Sequence, residues 1–300
     1  MKIIGTHSGS FHADDALGVA ILKALHPGAQ VVRSRDPDVW ATCDALVDVG
    51  GEYVPSANRF DHHQKGFFER RSNSIPYAGS GLVWKTHGAS YVQLVCTTLS
   101  AEKAQAVAEE VDIRLIQHAD AIDSGIAVDC PPAFSLSGII DTLNATWQDA
   151  GSDDDARFEE AYSLAGIVLR NQVRAVAAEL AAAEKVRGAV TQAQGRILVL
   201  DTARLPYDPI VCAEMPEVLF VVYPESKGGQ HQVRVVPRRL GSFHARADLP
   251  ADWAGLRDEA LARKTGVEDA VFCHNGRFIC GAASKEGALK LAHLAVKALK

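Results

Sequence analysis

No run of apolar residues in this 300-residue chain approaches the roughly 20 that a membrane-spanning helix needs, which excludes a helical membrane span. Six cysteines (Cys43, Cys96, Cys130, Cys212, Cys273 and Cys280) are scattered without a Cys-x-x-Cys pair, which excludes a zinc ribbon or a thioredoxin-like motif. Positive charge is not in excess: 31 Lys+Arg stand against 37 Asp+Glu, a formal net charge of -6, so non-specific polyanion binding over the whole surface is excluded while a local basic groove is not. Neither Gly50-Gly51 nor Gly79-Ser-Gly81 has the spacing of a dinucleotide or P-loop fingerprint. Internal repeats, low-complexity tracts and a signal-peptide pattern are also missing, and the expectation is a cytoplasmic protein with reduced thiols.

What is present is concentrated near the start. His7-Ser-Gly-Ser-Phe-His12-Ala-Asp14-Asp15 and Asp61-His62-His63 put imidazoles and carboxylates together in the first fifth of the chain. Each cluster follows an apolar run. Such groups cost free energy when buried unpaired, and converging carboxylates repel one another unless a cation neutralises them.

Lys2–Thr6, Ala45–Val47 and the residues before Asp61 read as strands, and Asp15 to about Leu25 reads as a helix stopped by Pro27-Gly28. Gly79–Gly81 opens a second helix, and Ala101 to about Ile122 is a third, with a break near Asp112. Strands alternating with helices predict an α/β domain with a mostly parallel sheet and helices on both faces. In that architecture ligands collect at the carboxyl ends of the strands, where His7, Asp48 and Asp61 all fall. The acidic run Asp149–Asp155 marks a boundary; 151–190 is a connecting helix, and 191–300 is a smaller α+β domain with a more antiparallel sheet and a hairpin at His274–Arg277.

His7, His12, Asp14, Asp48, His62 and one of Asp120 or Asp123 suffice for two divalent ions sharing a bridging carboxylate, and such a pair about 3.5–4 Å apart promotes phosphoryl hydrolysis. Mixed imidazole and carboxylate ligation suits Mn²⁺, and Zn²⁺, Mg²⁺, Fe²⁺ and Co²⁺ are the alternatives. His63 and Asp15 are the candidate catalytic residues, His63 contacting substrate or orienting a ligand. The blander reading makes any single Asp after a strand a helix cap or turn residue, Asp14, Asp15 and Asp123 included. Caps do not explain histidines in three of the same loops. Gly79–Gly81 is either a plain turn or a source of N–H groups for a phosphate. In the second domain Arg234, Arg238, His244 and Arg246 are candidate substrate-binding residues, or else a solvated strand edge.

On these motifs the chain resembles the melanocyte proliferating gene (Myg-type) family of the DHH phosphoesterase superfamily. The shared residues are Thr6–Asp15, Asp48-Val-Gly-Gly51, Arg59-Phe-Asp-His-His-Gln-Lys-Gly66 and Asp120-Ala-Ile-Asp123, continuing into Ser242-Phe243, Leu249-Pro250, Trp253, Gly255-Leu-Arg257 and Arg277–Gly281. The resemblance implies a DHH-type catalytic domain over 1–150, Mn²⁺-type binuclear hydrolysis of phosphodiester or phosphoanhydride bonds, and an active site between two domains. It further implies a 3′–5′ exonuclease acting on single-stranded RNA or short oligonucleotides. A small-molecule phosphatase or pyrophosphatase is the rival enzyme, and a non-catalytic metal-binding protein is the rival from another class. The chain departs from the superfamily's Asp-x-Asp opening, reading His12-Ala-Asp14 there, which exchanges a negative ligand for a neutral one. A homodimer is also expected.

Overall fold

The computed structural model describes residues 1–126, 129–149, 151 and 153–299. Two compact units emerge, Met1–Ala177 and Ala178–Lys300.

The first unit runs β1 (Ile3–Thr6), α1 (Ala13–Leu25), β2 (Gln30–Arg33), α2 (Pro37–Trp40), β3 (Ala45–Val47), β4 (Tyr53–Val54), β5 (Arg59–Phe60), α3 (Gly79–Val95), α4 (Ala101–Val111), α5 (Gln117–Asp123), α6 (Leu136–Asp141) and the long α7 (Asp154–Arg187). Its sheet has the order β2-β1-β3-β5-β4. All neighbours are parallel except the antiparallel edge strand β4. Register aligns Ile4 with Ala45 and Val47 with Phe60, so Thr6, Val47 and Phe60 end side by side on one edge.

Alternation decides which face each strand residue buries. Ile4, Ala45, Val47 and Phe60 enter the main core beneath α1 and α3, where Leu17, Ile21 and Leu22 of α1 are fully buried. Burying each of those side chains is worth about 2 kcal/mol. Ile3 and Leu46 point the other way, into a small cluster with Cys43, Val49 and Trp40 of α2. Helices thus cover both faces, unequally. Gly5 belongs to that second face, where a Cβ would stand 2.7 Å from Leu46 and 2.8 Å from Cys43.

The break anticipated near Asp112 is a π-helical turn, Asp112–Ile116, between α4 and α5. The boundary expected at Asp149–Asp155 contains Ala150 and Ser152, which lie outside the described residues. The division of the chain falls instead inside α7, because Phe158, Ala161, Ala165, Leu169, Val173 and Val176 are buried in the first unit's core.

The second unit contains β6 (Val190–Gln192), β7 (Ile197–Val199), α8 (Asp208–Glu214), β8 (Phe220–Pro224), β9 (His231–Val235), α9 (Asp258–Thr265), β10 (Ala270–Cys273), β11 (Ile279–Ala282) and α10 (Lys285–Ala298). Its sheet has the order β10-β11-β9-β8-β7-β6, with only β7 and β8 parallel. The His274–Arg277 turn joins antiparallel β10 and β11. One face packs on α9 and α10 through Phe220, Val233 and Leu291; the other packs on α8 through Leu198, Val221 and Val211. Among the described residues no helix is long and apolar enough to cross a membrane.

Candidate active site

Because β1, β3 and β5 are parallel neighbours, the residues that follow them share one edge. His7 follows β1, and its Nε2 lies 3.3 Å from Asp15 Oδ2 and 3.4 Å from Asp48 Oδ2. Its Nδ1 meets the Ser8 carbonyl at 3.3 Å, so with that nitrogen protonated the Nε2 lone pair faces the carboxylates. Asp48 follows β3 with φ +55°, a left-handed conformation that Asp tolerates better than most residues, and it turns the carboxylate across the strand ends. His62 Nε2 lies 3.2 Å from Asp48 Oδ1 and 3.3 Å from Asp123 Oδ2.

Three donor groups result, each with its ligand-type atoms within 4.8 Å of one another: His7, His12 and Asp48; Asp48, His62 and His63; and Asp14, His62 and Asp123. Asp48 belongs to two of them and His62 to two. Among these atoms Asp48 Oδ1 and His62 Nε2 are buried without a hydrogen bond, as is the adjacent Asp15 Oδ2. Buried acceptors facing lone pairs at 3.2–3.4 Å are stable only with positive charge between them, and this donor set fits divalent cations.

The same contacts shift the proton affinities of these groups. Burial opposes the charged form of His62, but Asp123 and Asp48, reinforced by Asp14, raise its imidazole to about 11. His7 is raised by Asp48 and Asp15 against the same opposition from burial. Burial works against the Asp48 carboxylate too, and His62 and His7 overcome it, holding Asp48 below the usual carboxylate range. Burial drives Asp14 well up, helped by Asp48 and Asp123, and lifts Asp15 to about 6.

Several predicted residues also make structural bonds. Asp15 Oδ1 accepts the His12 backbone N–H at 2.8 Å, so it closes the N-terminus of α1 while its second oxygen faces His7. Asp14 accepts N–H groups from Gly79 (2.8 Å) and Ser80 (2.7 Å) at the start of α3. Asp120 is absent from the donor groups: it accepts from Ser80 Oγ (2.9 Å) and Gly81 N–H (3.0 Å) and pairs with Arg71 at 2.8 Å. Burial raises it to about 6 although Arg71 opposes the shift. Of the two aspartates left open, Asp123 is the one beside His62. The Gly79–Gly81 N–H groups are engaged by carboxylates, which removes them as a phosphate cradle. Asp61, the first residue of its triplet, accepts from Gly51 N–H (2.5 Å) and from His63 Nδ1 (2.8 Å), orienting a largely exposed imidazole.

In the second unit Arg234, on β9, and Arg238 and His244, in the turn beyond it, are exposed. Arg246 is different. Its guanidinium donates to the carbonyls of Met215 (2.6 Å), Val218 (2.9 Å), Val211 (3.1 Å) and Cys212 (3.3 Å), closing the C-terminal end of α8. Both its terminal nitrogens are engaged by backbone carbonyls, which gives it a structural role.

The donor groups open into a cavity of about 990 Å³ that also exposes Trp40, Ile122, Ile126 and Arg35. Sequence reasoning missed three supports of this site. Asn144 brackets Phe11, accepting its N–H and donating to its carbonyl, both at 2.9 Å, and so fixes the residue before His12. Arg71 neutralises Asp120 and Asp112. Arg33 and Arg35 bind the loop after His7 through the Gly9 and Ser8 carbonyls. The only available signal was the pair of arginines in Arg33-Ser-Arg35, and the short, half-polar β2 gave no strand pattern to place them.

The profile of the MYG1 exonuclease family, described as an uncharacterised protein family (UPF0160), matches residues 3–296. The chain is 33% identical to the MYG1 exonuclease of Mus musculus over 317 residues, covering 96% of this chain and 83% of that protein. It is 32% identical to the Homo sapiens MYG1 exonuclease, covering 96% and 84%, and 32% identical to the MYG1 protein of Dictyostelium discoideum, covering 96% and 94%. Among solved structures, RecJ in complex with Mg²⁺ from Thermus thermophilus matches with a TM-score of 0.31 and 16% identity, covering 99% of this chain, which spans half the length of that protein. Exonuclease RecJ bound to manganese matches with a TM-score of 0.29 and 14% identity, covering 99% of this chain and 90% of that one. By its end-to-end profile match and by relatives above 30% identity, the chain belongs to the MYG1 family.

Proposed function

We propose that this protein is a metal-dependent hydrolase of phosphodiester bonds, acting as an exonuclease that removes nucleotides from the 3′ end of single-stranded RNA or short oligonucleotides. The observation that carries this reading is Asp48, a carboxylate shared by two imidazole-containing donor groups with unpartnered buried atoms, inside a cavity large enough for a nucleotide. The relatives named MYG1 exonuclease support the polymer substrate over a small one. The cavity supports it as well: among the described lining residues it has a single Arg or Lys, not the tight cationic pocket a pyrophosphatase calls for.

Two divalent ions, Mn²⁺ being the first choice, would be held by His7, His12 and Asp48 and by Asp48, His62, Asp14 and Asp123. When bound, they supply Lewis acidity toward a phosphoryl oxygen and toward water. Asp15 keeps the His7 imidazole aimed at Asp48. Asp61 holds the Nδ1 of His63, raises that imidazole's affinity for its proton, and leaves Nε2 to deliver one to the departing sugar oxygen.

The test is a Mn²⁺-loaded substrate panel of end-labelled oligoribonucleotides, oligodeoxyribonucleotides, pyrophosphate and cyclic dinucleotides. Stepwise loss from the 3′ end of RNA is expected, and Asp48→Asn, which keeps shape and tolerates the left-handed backbone, should cut turnover by orders of magnitude with an unchanged circular dichroism spectrum. Full wild-type turnover after chelation would refute metal dependence; 5′-to-3′ loss or preference for pyrophosphate would refute the finer reading.

A further inference from the structure

Arg33 and Arg35 leave β2 on the same sheet edge as His7, yet the structure uses them differently. Arg33 is tied down: it donates to the carbonyls of Gly9 and Asp154 and packs over the rings of Phe11 and Phe158. Arg35 makes one bond, Nε–H to the Ser8 carbonyl at 3.0 Å, and its side chain lines the cavity. Its terminal NH₂ groups have no hydrogen-bond or ion-pair partner among the described residues. The neighbouring Asp36 caps α2, its Oδ1 accepting the Asp38 N–H at 2.9 Å.

Arg35 is exposed, and its setting is acidic. The cavity exposes Asp14, Asp48, Asp61, Asp123 and Asp141, and Arg35 is the single Arg or Lys among its described lining residues. A guanidinium has five N–H donors in a planar fork, and one bond through Nε leaves both terminal nitrogens unengaged, a donor pair able to take two oxygens of one phosphate. The tether to Ser8, next to His7, sets that fork beside the donor groups without engaging their carboxylates.

We propose that Arg35 is the phosphate-binding residue of the cavity, its terminal nitrogens holding the non-bridging oxygens of a substrate phosphate. This inference rests on the phosphoesterase reading for its physiological ligand, and it assigns a residue that neither the sequence motifs nor the donor groups include.

The experiment uses the full chain loaded with Mn²⁺ and measures two affinities, for Mn²⁺ and for inorganic phosphate, in wild type, Arg35→Ala and Arg35→Lys. Arg35→Ala should bind Mn²⁺ as wild type does and bind phosphate about tenfold or more weakly, with Arg35→Lys intermediate because it restores the charge but not the fork. The KM for an oligonucleotide should rise in the same order. Equal phosphate affinity in wild type and Arg35→Ala overturns the proposal. So does a parallel loss of Mn²⁺ and phosphate affinity in both variants, which would make Arg35 only a brace for the Ser8 loop. Arg35-dependent phosphate binding in a protein that cleaves no phosphodiester would uphold Arg35 as an anion site and sink the phosphoesterase reading instead.

Discussion

At the scale of single residues, Asp120 and Asp123 show how one motif divides its labour. They lie three apart on α5, a spacing that puts two side chains on one helix face. Asp123 reaches His62, whereas Asp120 meets Arg71, Ser80 Oγ and the Gly81 N–H. Asp123→Asn should therefore weaken Mn²⁺ binding with little change in thermal stability. Asp120→Ala should do the reverse, leaving a buried guanidinium without one of its partners and costing about 3 kcal/mol of unfolding free energy. Denaturant melts and Mn²⁺ titrations of the two variants check this, and loss of one bound ion from a fully stable Asp120 variant would reassign it as a ligand. Histidines and aspartates after apolar runs were legible as a site because folding alone gives no use for them there. The choice between Asp120 and Asp123 was not legible, because it depends on Arg71, whose approach only the folded chain creates.

At the scale of elements, the start of α3 braces two acidic side chains, of which Asp14 also stands in a donor group. Its first N–H groups, left without helical partners, are bonded by Asp14 and Asp120, and the helix dipole favours negative charge there. Gly81 is required by this approach, since a Cβ would overlap the Asp120 carboxylate and stand 2.9 Å from Arg71 Nη2. Gly81→Ala should cost about 1–3 kcal/mol by overpacking, read as a lowered denaturation midpoint; a wild-type midpoint would show that α3 can shift at no cost. In the second unit the basic stretch separates in the same way. Arg246→Ala removes the group that satisfies the last carbonyls of α8 and should lower stability by about 1–3 kcal/mol. Replacing Arg234 and Arg238 together by Ala should cost stability through the lost Tyr223 and Ala245 contacts, and should flatten the salt dependence of oligonucleotide binding, by about 0.7 in slope for each phosphate that is no longer neutralised. An unchanged slope would make both arginines a solvated edge.

At the scale of the molecule, the metal-free first unit is a proton store. His62 is raised to about 11, so its ion pairs contribute stability that is fully present below its unfolded pKa of about 6.5 and is lost as pH rises toward 11. Asp15 and Asp120, raised to about 6, hold protons in the folded state that the unfolded chain releases near pH 4, so the stability tied to them also falls as pH rises between those values. From about pH 4 upward both signs agree, since Asp48 and Asp61, held below the usual carboxylate range, act only below it: the metal-free protein should lose thermal stability as pH rises, and added Mn²⁺ should restore it. Ligation needs a neutral imidazole, so metal uptake must expel the His62 proton, and apparent affinity should increase about tenfold per pH unit for each proton released. Calorimetric titrations between pH 6 and pH 9 measure it directly; a flat profile would mean that His62 keeps its proton and stands outside the metal shell.

Periodicity and residue chemistry in the sequence alone determined the alternation of strands and helices in the first 125 residues, the more antiparallel second sheet, and the edge where His7, Asp48 and Asp61 fall. Those features follow from local rules, since strand residues alternate and parallel neighbours must end together. Tertiary structure alone decided which groups are spent on folding: Asp120 on α3, Arg246 on α8, Arg33 on the Gly9 loop, and the long α7 on the core of the first unit. It also decided that Arg35, two residues from Arg33 and of the same chemistry, keeps its terminal nitrogens free. A side chain's partners lie at sequence separations that no local pattern encodes, and in a buried site the supply of partners determines whether a charge is a brace, a cap or a binding group.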